Sequence, residues 1–132
     1  MKFENLIERA HQAKDKAIAP YSRFPVGAAL LTSEGTVYDG CNIESSSYGL
    51  TMCAERVALY KALSEGETAF QAIAIATDTE EFCPPCGACR QVLWDFTRDI
   101  DVILVSRARN VQIRKLSDYF PYAFDNDFLT QD

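Results

Sequence analysis

A chain of 132 residues, 48% hydrophobic and 24% charged, is long enough to bury a core without staples and short enough to form one domain over 1–132. Its net charge of −6, from 13 basic and 19 acidic residues, leaves no basic stripe to displace counterions from RNA or DNA; a free small molecule is favoured over a polynucleotide, although solubility accounts for the charge equally well. Five cysteines at spacings unlike a secreted disulfide framework, no apolar segment behind residues 1–5 and no run long enough to span a bilayer point to a reduced, cytoplasmic protein without a signal peptide or membrane partner.

Apolar residues Leu6, Ile7, Ala10, Ala13, Ala17 and Ile18 recur at helical spacing, which predicts a helix over 3–18 ended by Pro20. Residues 26–31 read as a strand, Ser33-Glu34-Gly35 as a turn, and 36–41 as the returning strand of a hairpin. Residues 45–49 are loop, and a helix opening at Thr51 or Met52 runs to Leu63 and closes at Gly66. A buried strand is expected over 71–77, a loop over 80–85, a helix over 86–96 and a strand over 101–106. A short strand at 110–113 and a helical turn at 116–120 complete the chain. This alternation implies a three-layer α/β/α sandwich.

The chemistry concentrates in Cys53-Ala54-Glu55-Arg56 and Pro85-Cys86-Gly87-Ala88-Cys89-Arg90. Cys86 and Cys89 stand three apart at a helix start, so both sulfurs lie on one face. Cys53 also stands at a helix start. Helix N-termini favour thiolate over thiol, and one zinc held between two of them is the natural construction. Three protein ligands leave the fourth corner of a tetrahedral zinc to water, which distinguishes a catalytic from a structural site. Zinc brings that water's pKa towards neutrality. Glu55, beside a ligand, is the candidate proton carrier; its bland reading is a first-turn carboxylate stabilising its helix.

Cys83 is the alternative ligand, since Cys83-x-x-Cys86 is also a metal-like spacing. Two prolines between them impose extended backbone, which sets the cysteines about 9 Å apart along the chain, against about 4 Å between sulfurs sharing a zinc. Cys83 is therefore assigned to structure, and Cys41 to packing. Three thiolates and Zn²⁺ sum to −1, and Arg56 is placed to offset that charge from beside the sulfurs, unless it is a plain surface arginine.

These two motifs match the zinc deaminase signature, a zinc ligand followed by x-Glu and then Pro-Cys-x-x-Cys, in its three-cysteine form. With them come Ala19-Pro20-Tyr21-Ser22-Arg23-Phe24-Pro25-Val26-Gly27-Ala28-Ala29-Leu30, Gly40-Cys41-Asn42-Ile43-Glu44, Tyr48 and Pro121-Tyr122-Ala123-Phe124. In order and at compatible spacing over nearly the whole chain, they resemble the zinc-dependent nucleoside deaminases, and most the small cytidine deaminases.

The resemblance implies a sandwich built on a mixed five-stranded sheet. It implies hydrolytic deamination of cytidine and deoxycytidine in pyrimidine salvage, one Zn²⁺ per subunit, and a homotetramer with sites shared between subunits. Within it, Cys53, Cys86 and Cys89 hold zinc and Glu55 is catalytic. Asn42 and Glu44 bond the ribose 3′-hydroxyl. Phe24 packs on the pyrimidine, where stacking is worth about 1–3 kcal/mol per base. The Ala54 N–H meets the base carbonyl, Tyr48 lies by the sugar, and Phe124 reaches into a neighbour's site. Ser45-Ser46-Ser47 departs from the family pattern, in a loop that in the family contributes to the substrate 5′ end. Gln91 is an outer residue at most, and His11 stands away from every motif. Deamination of an antibiotic nucleoside is the rival within the class; Asn42-Ile43-Glu44 argues for an ordinary ribose. A zinc-stabilised RNA-binding module is the rival outside it, and would need a basic face and a fourth zinc ligand.

Overall fold

The computed structural model describes residues 3–129; residues 1–2 and 130–132, the ends of the expected domain, lie outside the described residues. Strands β1 (Val26–Thr32) and β2 (Val37–Cys41) form the hairpin, joined through a turn in which Gly35 takes φ +99°. A positive φ is cheap only for glycine, so the turn forms where the sequence places one. Strands β3 (Phe70–Thr77), β4 (Asp101–Val105) and β5 (Val111–Lys115) extend the sheet in the order β2-β1-β3-β4-β5. Within this sheet β3 and β4 run parallel, connected through helix α3 (Gly87–Thr97), and the other neighbouring strands pair antiparallel. The sheet is therefore mixed and five-stranded.

Helix α1 (Glu4–Lys14) covers one face; α2 (Ala54–Ser64) and α3 cover the other, giving three layers. Strand alternation sorts the two cores. Ile73 and Ile75 of β3, with Val102 and Leu104 of β4, face α2 and α3. Ala72, Ala74 and Ala76 turn to α1 with Ile103 and Val105. The small residues on the α1 side let that helix lie close. At Gly27 the approach is closest: a Cβ there would sit 2.0 Å from the Ala10 carbonyl oxygen. Gly40 plays the same part on the opposite face, under α2.

Three boundaries differ from the sequence expectation by two residues or more. Helix α1 stops at Lys14 and not near Ile18, because Ile18 is taken into strand-like pairing: its N–H donates to the Asn42 carbonyl, and Glu44 N–H donates back to its own. α2 begins at Ala54 and not at Thr51 or Met52, because Met52 exchanges both backbone bonds with Ile43 at 3.0 Å. β5 runs two residues past Ile113, to Lys115. The late helical turn is present as α4 (Leu116–Tyr119). No helix among the described residues is long and apolar enough to cross a membrane.

Candidate active site

Both metal motifs sit where helices begin. Cys53 is the N-cap of α2 and Cys86 the N-cap of α3, with Cys89 inside the first turn of α3. The three sulfurs lie within 4.8 Å of one another, and the Cys53 and Cys86 sulfurs are 3.7 Å apart. Ligands about 2.3 Å from a tetrahedral zinc are about 3.8 Å from each other, so this donor set fits the ion. Cys83 is outside the group; its thiol lies 3.8 Å from the Pro84 carbonyl oxygen, half-buried in the cavity wall. Cys41 donates to the Lys16 carbonyl.

The Arg56 guanidinium donates to the Cys53 sulfur at 3.4 Å, and its Nε is buried without a partner. Hydrogen bonding from Cys89, with Arg56 added, pulls the Cys53 thiol down to about 5, while the same shared proton pushes Cys89 up. Of the two, Cys53 is the one whose thiolate is favoured. The sulfur contact in turn raises Arg56 further, keeping it charged.

Glu55 is 5% exposed, one residue into α2. Burial, reinforced by the Cys53 charge, pushes its carboxyl up to about 7. A carboxyl poised there can both take and give a proton near neutral pH. Ala54, fully buried, is the first residue of α2, so its N–H has no partner within the helix.

These groups meet at a cavity of about 350 Å³, within the range of small-molecule sites. It opens beside the carboxyl end of β3, at Ile75 and Thr77. Phe24, 40% exposed, lines it, as do Asn42 and Glu44. Asn42 is buried and its amide is already used at both ends: Nδ2 donates to the Phe24 carbonyl at 2.8 Å, and Oδ1 accepts from Val26 N–H at 2.9 Å. The Glu44 carboxylate accepts from Tyr21 N–H, Ser22 N–H and the Ser22 hydroxyl. Both side chains expected at the sugar also hold the loop that carries Phe24.

Tyr48 does not line this cavity. It is 73% exposed, packs edge-on against Tyr21, and lines an adjoining cavity that shares Ser22, Glu44 and Thr51 with the first. Phe124 does not line its own chain's cavity; it is 52% exposed, stacked on Phe128 at 5.7 Å, and lines a separate surface pocket with Asp95 and Phe96. Gln91 holds that segment by donating to the Phe124 carbonyl at 2.7 Å. Ser46 is exposed, in a loop fixed by Ser45 N–H donating to Thr51 Oγ1. His11 is buried on α1, on the other side of the sheet from α2 and α3. Sequence reasoning did not single out Ser22, whose only signal was its place between Tyr21 and Phe24.

Comparison with known proteins agrees with this geometry. Residues 1–106 match the family model described as the cytidine and deoxycytidylate deaminase zinc-binding region. The chain is 44% identical over 131 residues to a cytidine deaminase of Sporosarcina psychrophila, covering 98% of this chain and 96% of that one. It is 50% identical over 125 residues to one from Halalkalibacterium halodurans, covering 94% and 95%. Among solved structures, a cytidine deaminase from Burkholderia pseudomallei superposes with a TM-score of 0.90 at 46% identity, over 94% of this chain and all of that one.

Proposed function

Since this chain belongs to the cytidine and deoxycytidylate deaminase zinc-binding family, we propose that it hydrolyses free cytidine and deoxycytidine to uridine and deoxyuridine, releasing ammonia. The observation that carries the reading is the meeting of three thiol sulfurs with a buried, near-neutral carboxyl in one cavity of nucleoside-site size.

Cys53, Cys86 and Cys89 hold one zinc per subunit. When bound, the ion supplies Lewis acidity that makes a water an effective nucleophile near neutral pH. Arg56 tempers the charge of the thiolates by donating to Cys53. Glu55 accepts the proton that the attacking water sheds as its oxygen bonds to C4. It then protonates N3 of the ring, takes the second water proton from the C4 hydroxyl as the carbonyl forms, and delivers that proton to the exocyclic nitrogen as the C4–N bond breaks. The step balances as one water consumed, one ammonia released and a carbonyl formed. The Phe24 ring packs against the base and the Ala54 N–H faces its carbonyl. Glu44 accepts from the sugar 3′-hydroxyl and repels a 3′-phosphate; Asn42 lies beside it.

Residues 1–132 act as a single catalytic domain. Phe124, exposed beside Phe128, fits into a neighbouring subunit's site in a homotetramer, and Tyr48 borders the sugar's far side. The cytoplasm is the expected setting, in pyrimidine salvage.

The test is ammonia release from a panel of free nucleosides, nucleotides and short RNA, with zinc content measured in parallel. Cytidine and deoxycytidine turnover with one zinc per chain is expected. Replacing Cys53, Cys86 or Cys89 by alanine should remove metal and activity together, and Cys83→Ser should keep both. A preference for RNA, or zinc that survives Cys53→Ser and is lost in Cys83→Ser, would refute the reading.

A further inference from the structure

The loop that carries Phe24 is held in an unusual shape. Arg23 takes φ +56°, left-handed backbone that a non-glycine residue adopts only when its surroundings impose it. Its N–H donates to the Ala19 carbonyl at 3.0 Å, closing a tight turn. What imposes this shape is the Glu44 carboxylate, with Ser22 at the centre of the arrangement. Glu44 Oε1 accepts from Tyr21 N–H at 3.0 Å and from Ser22 N–H at 3.1 Å. The Ser22 hydroxyl donates its one proton to Glu44 Oε2. Ser22 Oγ itself accepts from Phe24 N–H at 3.1 Å.

One hydroxyl therefore joins the two halves of the cavity. A serine oxygen has a single proton and two lone pairs. Given to Glu44, that proton leaves the lone pairs for Phe24. The Phe24 peptide is then fixed at both ends, by Ser22 at its N–H and by Asn42 at its carbonyl. An ionised carboxylate offers about four lone-pair positions. Three of them are filled from the loop, which orients the fourth.

We infer that Ser22 is a positioning residue for nucleoside recognition, linking the carboxylate that receives the sugar hydroxyl to the ring that packs on the base. The inference rests on the deaminase reading. The hydrogen bonds from Ser22 also hold the Glu44 carboxyl below its usual range, so it stays an acceptor. Substrates that carry both a sugar hydroxyl donor and a planar base gain from the link; a free base gains from the Phe24 half alone. Glu55 and the three thiols lie on α2 and α3, outside this set of bonds. Loss of the link should therefore weaken binding in ground and transition states alike, which raises KM and leaves kcat nearly unchanged.

The experiment is steady-state kinetics on cytidine with Ser22→Ala, Glu44→Gln and the double variant, at equal zinc content. Ser22→Ala should raise KM about tenfold, as expected for hydrogen bonds to a charged group, with kcat within about threefold of the parent. In the Glu44→Gln background the same change should add less than about twofold, because the two side chains act as one unit. Ser22→Thr should restore KM where Ser22→Val, of the same shape without the hydroxyl, does not. This last pair keeps the test decisive if Ser22→Ala folds poorly. Parental KM in Ser22→Ala or Ser22→Val, a loss confined to kcat, or additive effects in the double variant would overturn the inference. A parent that releases no ammonia from any nucleoside would instead overturn the function on which it rests.

Discussion

Replacing Gly40 by alanine adds one methyl group between the strand and the helix that carries Cys53 and Glu55. That methyl would lie 2.6 Å from Ala58 N and 2.8 Å from the Ala54 carbonyl oxygen, both backbone atoms that cannot swing away. Ordinary contact begins near 3.4 Å, so β2 and α2 must separate by about 0.8 Å. β2 is an edge strand and can take part of the retreat. An even split still moves α2 by about 0.4 Å, twice the roughly 0.2 Å tolerance of a metal–ligand distance. α3, which carries Cys86 and Cys89, does not share the push. The three sulfurs would therefore no longer converge as they do. We expect a destabilisation of about 1–3 kcal/mol, the usual range for overpacking. Zinc affinity should fall by about tenfold or more, as for other changes that disturb ligand orientation. Thermal unfolding of the metal-free chain reads the first effect, and competition with a coloured chelator reads the second. Gly49→Ala is the control: its methyl meets nothing within 4 Å, so it should stay within about 0.5 kcal/mol of the parent. If Gly40→Ala keeps the parental melting temperature and zinc affinity, the close approach of β2 to α2 does not set the position of Cys53.

Glu55→Gln should keep the fold and one zinc per chain while ammonia release falls by about 10²–10⁴-fold, since an amide cannot carry the protons. The same variant has a pH signature: burial raises the Glu55 carboxyl from its ordinary 4.5 to about 7, so stability of the metal-free parent should decline as pH rises across that interval, and Glu55→Gln should flatten the decline in urea titrations. Asp39 behaves oppositely. Burial alone would raise it, but hydrogen bonds from Arg9 and Lys61 prevail and hold it below its ordinary 3.8. Its contribution is present above that pH and lost as acid protonates the folded carboxylate; Asp39→Asn should make acid unfolding shallower below pH 3.8. For Phe124, Phe124→Ala and Glu55→Gln chains unfolded and refolded together should be more active than the mean of the two alone, because some sites combine an intact Glu55 with a neighbour's intact Phe124. No gain in mixed oligomers confirmed by mass would leave each site within one chain.

Features that depend on residues a few positions apart are legible in the order of the residues alone. Cys86 and Cys89 share a helix face because they are three apart, and Glu55 stands beside Cys53 because the chain puts it there. The hairpin, the buried strands and the exclusion of Cys83 through two prolines follow from the same local rules. Features that depend on partners distant in the chain emerge only on folding. Helical spacing continues to Ile18, yet the helix ends at Lys14 because Ile18 pairs with Asn42 and Glu44, more than twenty residues on. Met52 leaves α2 for Ile43 in the same way, and this is what makes Cys53 a cap. Asn42 and Glu44 were legible as polar groups at a strand end; that they hold the Phe24 loop through Ser22 was not. Helical and strand periods are properties of a short window, whereas a side chain's hydrogen-bond partner is fixed only once sheet register and helix docking have brought remote segments together.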